Sequence, residues 1–146
     1  MQTTTLYDQD FYAWTQQQVE LLKTGQWKQI DIENLIEEIE SLGKQQRQEL
    51  RNRLEVLLGH LLKWRYQPEG RSKSWRATIN EQRQKIQRHL KENPSLKPYL
   101  PEAIEIGYEQ GLNLLDRETP VDPKQLPQVC PFSEFEIFDE PMELEE

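Results

Sequence analysis

Two histidines and a dense set of arginines carry most of the chemistry this chain could do. His60 follows Arg53 by seven positions, and His89 follows Arg83 by six. Seven positions on a helix return to nearly the same face, so Arg53 and His60 would share one edge of an apolar stripe. Such a pair would set an imidazole, which can change charge near neutral pH, beside a permanent cation. Composition weakens the signal. Arginine fills eight of the 48 positions from 44 to 91, so an Arg within reach of each His is expected without any catalytic purpose. The expected role of His60 is a boundary histidine hydrogen-bonded to a neighbouring helix, with Arg53 and His60 as the catalytic candidates of the alternative reading.

The other constellations are weighed in the same way. Glu37 and Glu38 are adjacent, and adjacent helical residues point about 100° apart, so the two cannot easily face one metal ion. Neither His has a Glu three positions before it, as helical di-metal sites require. No metal and no cofactor are expected. The acidic face is read as solvated or paired with Arg65, which falls inside the apolar stripe of its own helix and needs a carboxylate or an escape to water. Arg71, Lys73, Arg76, Arg83 and Arg88, with Trp75 among them, are the best nucleic-acid candidates, since phosphates need cations and an exposed Trp could stack on a base. Trp75 opens the apolar face of its helix, however, and the chain carries a net charge of −8. Nucleic-acid binding is therefore possible but not favoured. Cys130 is the only cysteine, which excludes an intrachain disulfide, and its surroundings offer little positive charge to activate a thiol.

Helices must position these residues, because no stretch alternates with period two for long enough to form a core strand. Asp8 or Asp10 can cap a first helix carrying Phe11, Trp14, Gln18, Leu21 and Leu22, and Gly25 ends it. Trp27 and Ile30 are expected to plug the bundle end. Asp31 caps the next helix. There Ile32, Leu35, Ile36, Ile39 and Leu42 form a stripe that stays in phase with Leu50, Leu54, Leu57, Leu61 and Trp64. Separate helices have no reason to keep phase, so the spacing predicts one long helix over about 31–67, with Gly43 the place where it could kink. At 1.5 Å per residue it would reach ~55 Å, against about 35–40 Å for a compact domain of this length. That excess points to self-association or a protein partner. Ser74 is expected to cap a third helix bearing Ile79, Ile86 and Leu90, and Pro98 to begin a fourth. Thr119 to Pro131 form a Pro-rich strap, and Ser133 caps a short turn that Phe132, Phe135 and Phe138 could anchor. The predicted architecture is an all-α bundle of four main helices in a single domain over 1–146, with its core at about 8–138 and an acidic tail at 139–146.

Charge is uneven along the chain. Residues 1–43 hold eight acids and two bases, residues 44–91 four acids and 13 bases, and residues 92–146 fourteen acids and three bases. The economical expectation is that a basic middle folds against acidic ends. No apolar run is long enough to span a membrane and no secretory pattern opens the chain, so a cytoplasmic location without membrane contact is expected.

Several blocks occur in order: Asp10-Phe11-Tyr12-Ala13-Trp14, then Asp31 to Gly43, His60-Leu61-Leu62-Lys63-Trp64, Ser74-Trp75-Arg76-Ala77-Thr78, Pro94-Ser95-Leu96, Tyr108, and Cys130-Pro131-Phe132. Together they resemble the largely cyanobacterial family catalogued as domain of unknown function twenty-nine, over nearly the whole chain. The resemblance implies an all-helical bacterial cytoplasmic domain and brings no catalytic residue, cofactor or substrate. The Arg and His spacing also resembles the motif of the HEPN group of small helical ribonucleases, which implies acid–base chemistry on RNA for His60 and a phosphate contact for Arg53, although Leu54 stands where a polar residue often follows the motif's Arg, a place that Gln84 fills in the Arg83 and His89 pair. The leading expectation is a non-enzymatic helical interaction domain. The alternatives are an RNA-acting enzyme using Arg53 and His60, or a nucleic-acid binder using the basic 71–91 helix.

Overall fold

The computed structural model describes residues 5–144, and all regular structure among them is helical. In chain order the helices are α1 (Leu6–Gln9), α2 (Phe11–Lys23), α3 (Ile32–Tyr66), α4 (Lys73–Glu92), α5 (Leu100–Glu118) and α6 (Glu134–Phe138). Short 3-10 turns fill most of the links. The contacts fall into two compact units, residues 1–45 and 46–146. Helix α3 belongs to both. It runs unbroken through Gly43 for 35 residues, about 52 Å at 1.5 Å per residue.

The first unit is built on capping and on aromatic contacts. The Asp10 carboxylate accepts the Ala13 amide at 3.1 Å and starts α2. At its other end Gly25 adopts φ +70°, the left-handed geometry that glycine tolerates. This lets Gln26 N–H reach the Leu21 carbonyl at 2.9 Å and Gly25 N–H reach Leu22 at 3.3 Å, closing the helix in a Schellman turn. Asp31 then joins the two helices. Its carboxylate accepts the Trp14 indole N–H at 3.1 Å and the Asn34 amide at 2.7 Å, while its own backbone N–H donates to the Gln18 side chain at 2.9 Å. These bonds, the Asn34 side chain foremost, hold the Asp31 carboxyl below its ordinary range. Tyr7 stands edge-on to Trp14 with ring centres 4.8 Å apart. Its hydroxyl donates to Glu38, and that carboxylate pushes the phenol up to about 12.

The second unit holds a dense core. Leu50, Leu54, Leu57, Leu58, Leu61, Leu62 and Trp64 of α3 pack with Ile79 and Ile86 of α4, Ala103, Tyr108 and Leu115 of α5, and Ile137 of α6. Three glycines let α3 and α5 approach. A Cβ at Gly107 would lie 2.7 Å from Leu54 Cβ, and one at Gly111 would lie 3.0 Å from the backbone nitrogen of Gly59. The segment after the Pro-rich strap, α6 and the residues just beyond it, is tied down through α4. Buried Arg83 donates from Nε to the Ile137 carbonyl at 2.8 Å, from Nη2 to Glu136 at 2.9 Å and from Nη1 to Glu140 at 2.6 Å. A cation set on the last carbonyls of α6 also suits the negative end of that helix. Ser133 and Glu136 complete a capping box at its start.

Several expectations need correction. Ser72, not Ser74, caps α4, accepting the Trp75 amide at 3.2 Å. Pro98 does not begin an α-helix. Pro94, whose missing N–H costs nothing in a first turn, opens a 3-10 turn over Pro94–Tyr99 that takes in Pro98, and α5 starts at Leu100. Arg65 pairs with Glu136 rather than with the acidic face of α3, and its guanidinium lies 4.4 Å from the Phe132 ring centre. Phe135 and Trp27 are exposed rather than anchored. The largest departure is the first half of the α3 stripe. Ile32, Ile36, Ile39 and Leu42 are 59, 51, 65 and 57% exposed. The reason lies in which face α1 and α2 engage. Their polar contacts fall on Asp31 and Glu38, on the flank of the stripe, and α1 is only one turn long.

Candidate functional site

The structure separates Arg53 from His60. Seven residues are two helical turns, about 10 Å along the axis, and the two side chains face different partners. Half-buried His60 donates from Nδ1 to the Val56 carbonyl at 2.8 Å, one turn back on its own helix. That bond places its proton on Nδ1. Burial, with Lys63 nearby, lowers the ring below its ordinary value. The bond runs to its own backbone rather than to a neighbouring helix.

Arg53 instead shares a polar groove with His89. Gln46, Glu49, Arg53, Lys85, Arg88, His89 and Glu92 line about 240 Å³ in the second unit. Glu49 joins the two elements, one carboxylate oxygen 3.0 Å from Arg53 Nη2 and the other 2.9 Å from His89 Nδ1. His89 Nε2 lies 2.9 Å from the Gln46 carbonyl. Both ring nitrogens therefore face acceptors, and the ring is only 6% exposed. It clasps α4 to α3 and has no nitrogen free for a ligand's proton. Sequence spacing could not find this cluster, because Arg53 and His89 are 36 residues apart along the chain and meet only through the Glu49 carboxylate.

The basic candidates are also divided. Arg83 is committed to α6, and Arg71 donates from Nε to the Trp64 carbonyl at 2.7 Å. Lys73 and Arg88 are exposed and Arg76 half-buried. Trp75 packs against the core, with buried Lys63 5.2 Å from its ring centre, so no stacking platform accompanies these cations. Cys130 lies beside Tyr108 in a cleft of about 270 Å³ with Glu105 and Glu109. Burial pushes its thiol upward, which keeps it protonated and a poor nucleophile. Among the described residues no group of three His, Cys, Asp or Glu could hold a metal ion, and no helix is long and apolar enough to cross a membrane.

The feature left is apolar. Of the large hydrophobic residues exposed among the described residues, ten lie in the first unit: Leu6, Phe11, Tyr12, Val19, Leu22, Trp27, Ile32, Ile36, Ile39 and Leu42. Single exposed hydrophobics are ordinary, but a run at helical spacing on one face is not. The family model described as Domain of unknown function DUF29 matches residues 6–142. The chain belongs to this family. The match includes both the apolar face and the Arg83-bound α6 of this DUF29 domain. No curated protein and no solved structure matches the chain.

Proposed function

We propose that this chain is a non-enzymatic protein-interaction domain of the cytoplasm, and that its contact surface is the apolar face of residues 5–45. The observation that supports this reading is the exposure of Ile32, Ile36, Ile39 and Leu42 on consecutive turns of α3. Burying the part of one such side chain that is still exposed releases about 1–2 kcal/mol. A stripe of four that carries no load in the fold has its use in contact with another molecule. The second unit supplies the rigid end of α3, fixed by its leucine core.

The test is the double substitution Ile36→Ser and Ile39→Ser, followed by thermal unfolding and by binding of an apolar fluorescent dye. A contact surface predicts an unfolding midpoint within a few degrees of the parent and a marked loss of dye binding. A fall in the midpoint of more than about 10 °C, equivalent to roughly 3 kcal/mol in a domain of this size, would mean that the stripe is core and would remove the reading.

The RNA-acting alternative, with Arg53 and His60 as its residues, is supported by one observation, the meeting of Arg53 with Lys85 and Arg88 in the groove. Cleavage of a single-stranded RNA that disappears in both Arg53→Ala and His60→Gln would favour it. Absence of cleavage by the parent removes it.

A further inference from the structure

The flank of the exposed stripe carries a charge pattern that selects among partners. With Ile39 at zero on a wheel of about 100° per residue, Ile32, Ile36 and Leu42 fall at roughly +20°, +60° and −60°. Asp31, Asn34 and Glu38 fall at about −80° to −140°, and this side is the one engaged by Tyr7, Trp14 and Gln18. Glu33, Glu37 and Glu40 fall at about +100° to +160°, on the free side. All three are exposed, and no ion pair among the described residues involves them. The free border of the apolar stripe is thus a row of three unpaired carboxylates, one per turn.

The same face of a second copy does not suit it. An antiparallel pairing that lays 32–42 over itself is centred on Glu37 and brings the same acidic rows together. A parallel pairing sets the acidic row against the opposite flank of the other copy, where Asp31 and Glu38 are again acidic and already engaged by Tyr7, Trp14 and Gln18. Residues 5–45 hold eight acids and three bases, so the unit as a whole opposes such a contact. Like charges brought together in an interface cost affinity, whereas opposite rows add specificity and association rate. A helix of matching length with an apolar stripe and a lysine or arginine row meets both features at once. The stripe from Ile32 to Leu42 is about 15 Å long, three turns of such a helix.

We propose that Ile32, Ile36, Ile39 and Leu42, bordered by Glu33, Glu37 and Glu40, form a docking face for a basic amphipathic helix of another protein. This rests on the reading of residues 5–45 as a contact surface and names the chemistry of its occupant.

The test uses three fluorescently labelled 15-residue peptides with leucine at helical spacing and lysine, glutamine or glutamate at every polar position. Each is titrated with the full chain and followed by anisotropy. The lysine peptide is expected to bind at least tenfold more tightly than the glutamine peptide, and the glutamate peptide not at all. Raising the salt from about 50 to 300 mM narrows the gap, as screening of exposed charges requires. The triple variant Glu33→Gln, Glu37→Gln, Glu40→Gln loses about tenfold for the lysine peptide, the effect of three exposed ion pairs of ordinary strength, and keeps its affinity for the glutamine peptide. The Ile36→Ser, Ile39→Ser variant loses both, although its charge is unchanged. Equal binding of all three peptides would overturn the basic partner while leaving the contact surface in place. Binding of none, or undiminished binding by the serine variant, would overturn the contact surface itself. A stable dimer by sedimentation that the serine variant abolishes would assign the face to a second copy and overturn the proposal.

Discussion

The Arg83 guanidinium donates to three carbonyls at the end of α6, and the side chain is 7% exposed. An arginine fork can serve three acceptors at once, which a single ammonium cannot. Arg83→Met keeps much of the packing but orphans the carbonyls. It is expected to lower stability by about 2–4 kcal/mol, measured by urea unfolding, with Arg83→Lys falling between variant and parent. His60 makes a different prediction. Burial holds its ring below the ordinary 6.5, so the unfolded chain takes up a proton first as pH falls. The contribution of His60 is fully present above about pH 6.5 and is lost as pH drops from there through the lowered folded value. His60→Gln should therefore flatten the fall in stability between about pH 7 and 5. An identical pH profile in parent and variant would show that the ring is not held neutral. Neither role was legible in the sequence. The partners of Arg83 are backbone atoms more than 50 residues away, and the bond of His60 is local. Spacing along a helix reports which residues share a face, and it does not report what lies opposite.

Elements were read more readily than contacts. Continuity of α3 through Gly43 follows from apolar residues that keep phase on both sides, and the structure shows the unbroken helix. The Schellman turn at Gly25 and the capping box at Ser133 were visible as residue types in order. Pro98 has the residue type of a first-turn proline, but the 3-10 turn opened by Pro94 takes it in, so that α5 starts two residues later at Leu100. The glycines divide by environment. A Cβ at Gly43 meets nothing within 4 Å, whereas one at Gly107 collides with Leu54. Gly43→Ala should raise stability by about 0.5–1 kcal/mol through helix propensity. Gly107→Ala should lower it by about 1–3 kcal/mol by forcing α3 and α5 apart. Thermal unfolding of the two variants checks both signs, and a common sign would contradict the close crossing.

At the scale of the whole molecule, one amphipathic stripe has two fates. From Leu50 to Trp64 it is core, and from Ile32 to Leu42 it is surface. The pattern alone could not separate them, because periodicity marks a face as apolar without saying what covers it. The structure supplies the missing term, since α1 and α2 engage the flank and leave the crest open. The candidate chemistry follows the same division. Arg53, Arg71, Arg83 and His89 are engaged in contacts within the second unit, His60 bonds its own helix, and the exposed apolar stripe lies in the first. An account in which this chain acts by contact therefore depends on Ile39 being open to solvent in the free protein. The direct measurement is thiol labelling in a Cys130→Ser background, comparing Ile39→Cys with Leu58→Cys under native conditions at low concentration. The account predicts that the residue 39 thiol reacts within about tenfold of an unfolded peptide, while the residue 58 thiol reacts only through the rare global opening that a stable core allows. Protection of both thiols to a similar degree would contradict it.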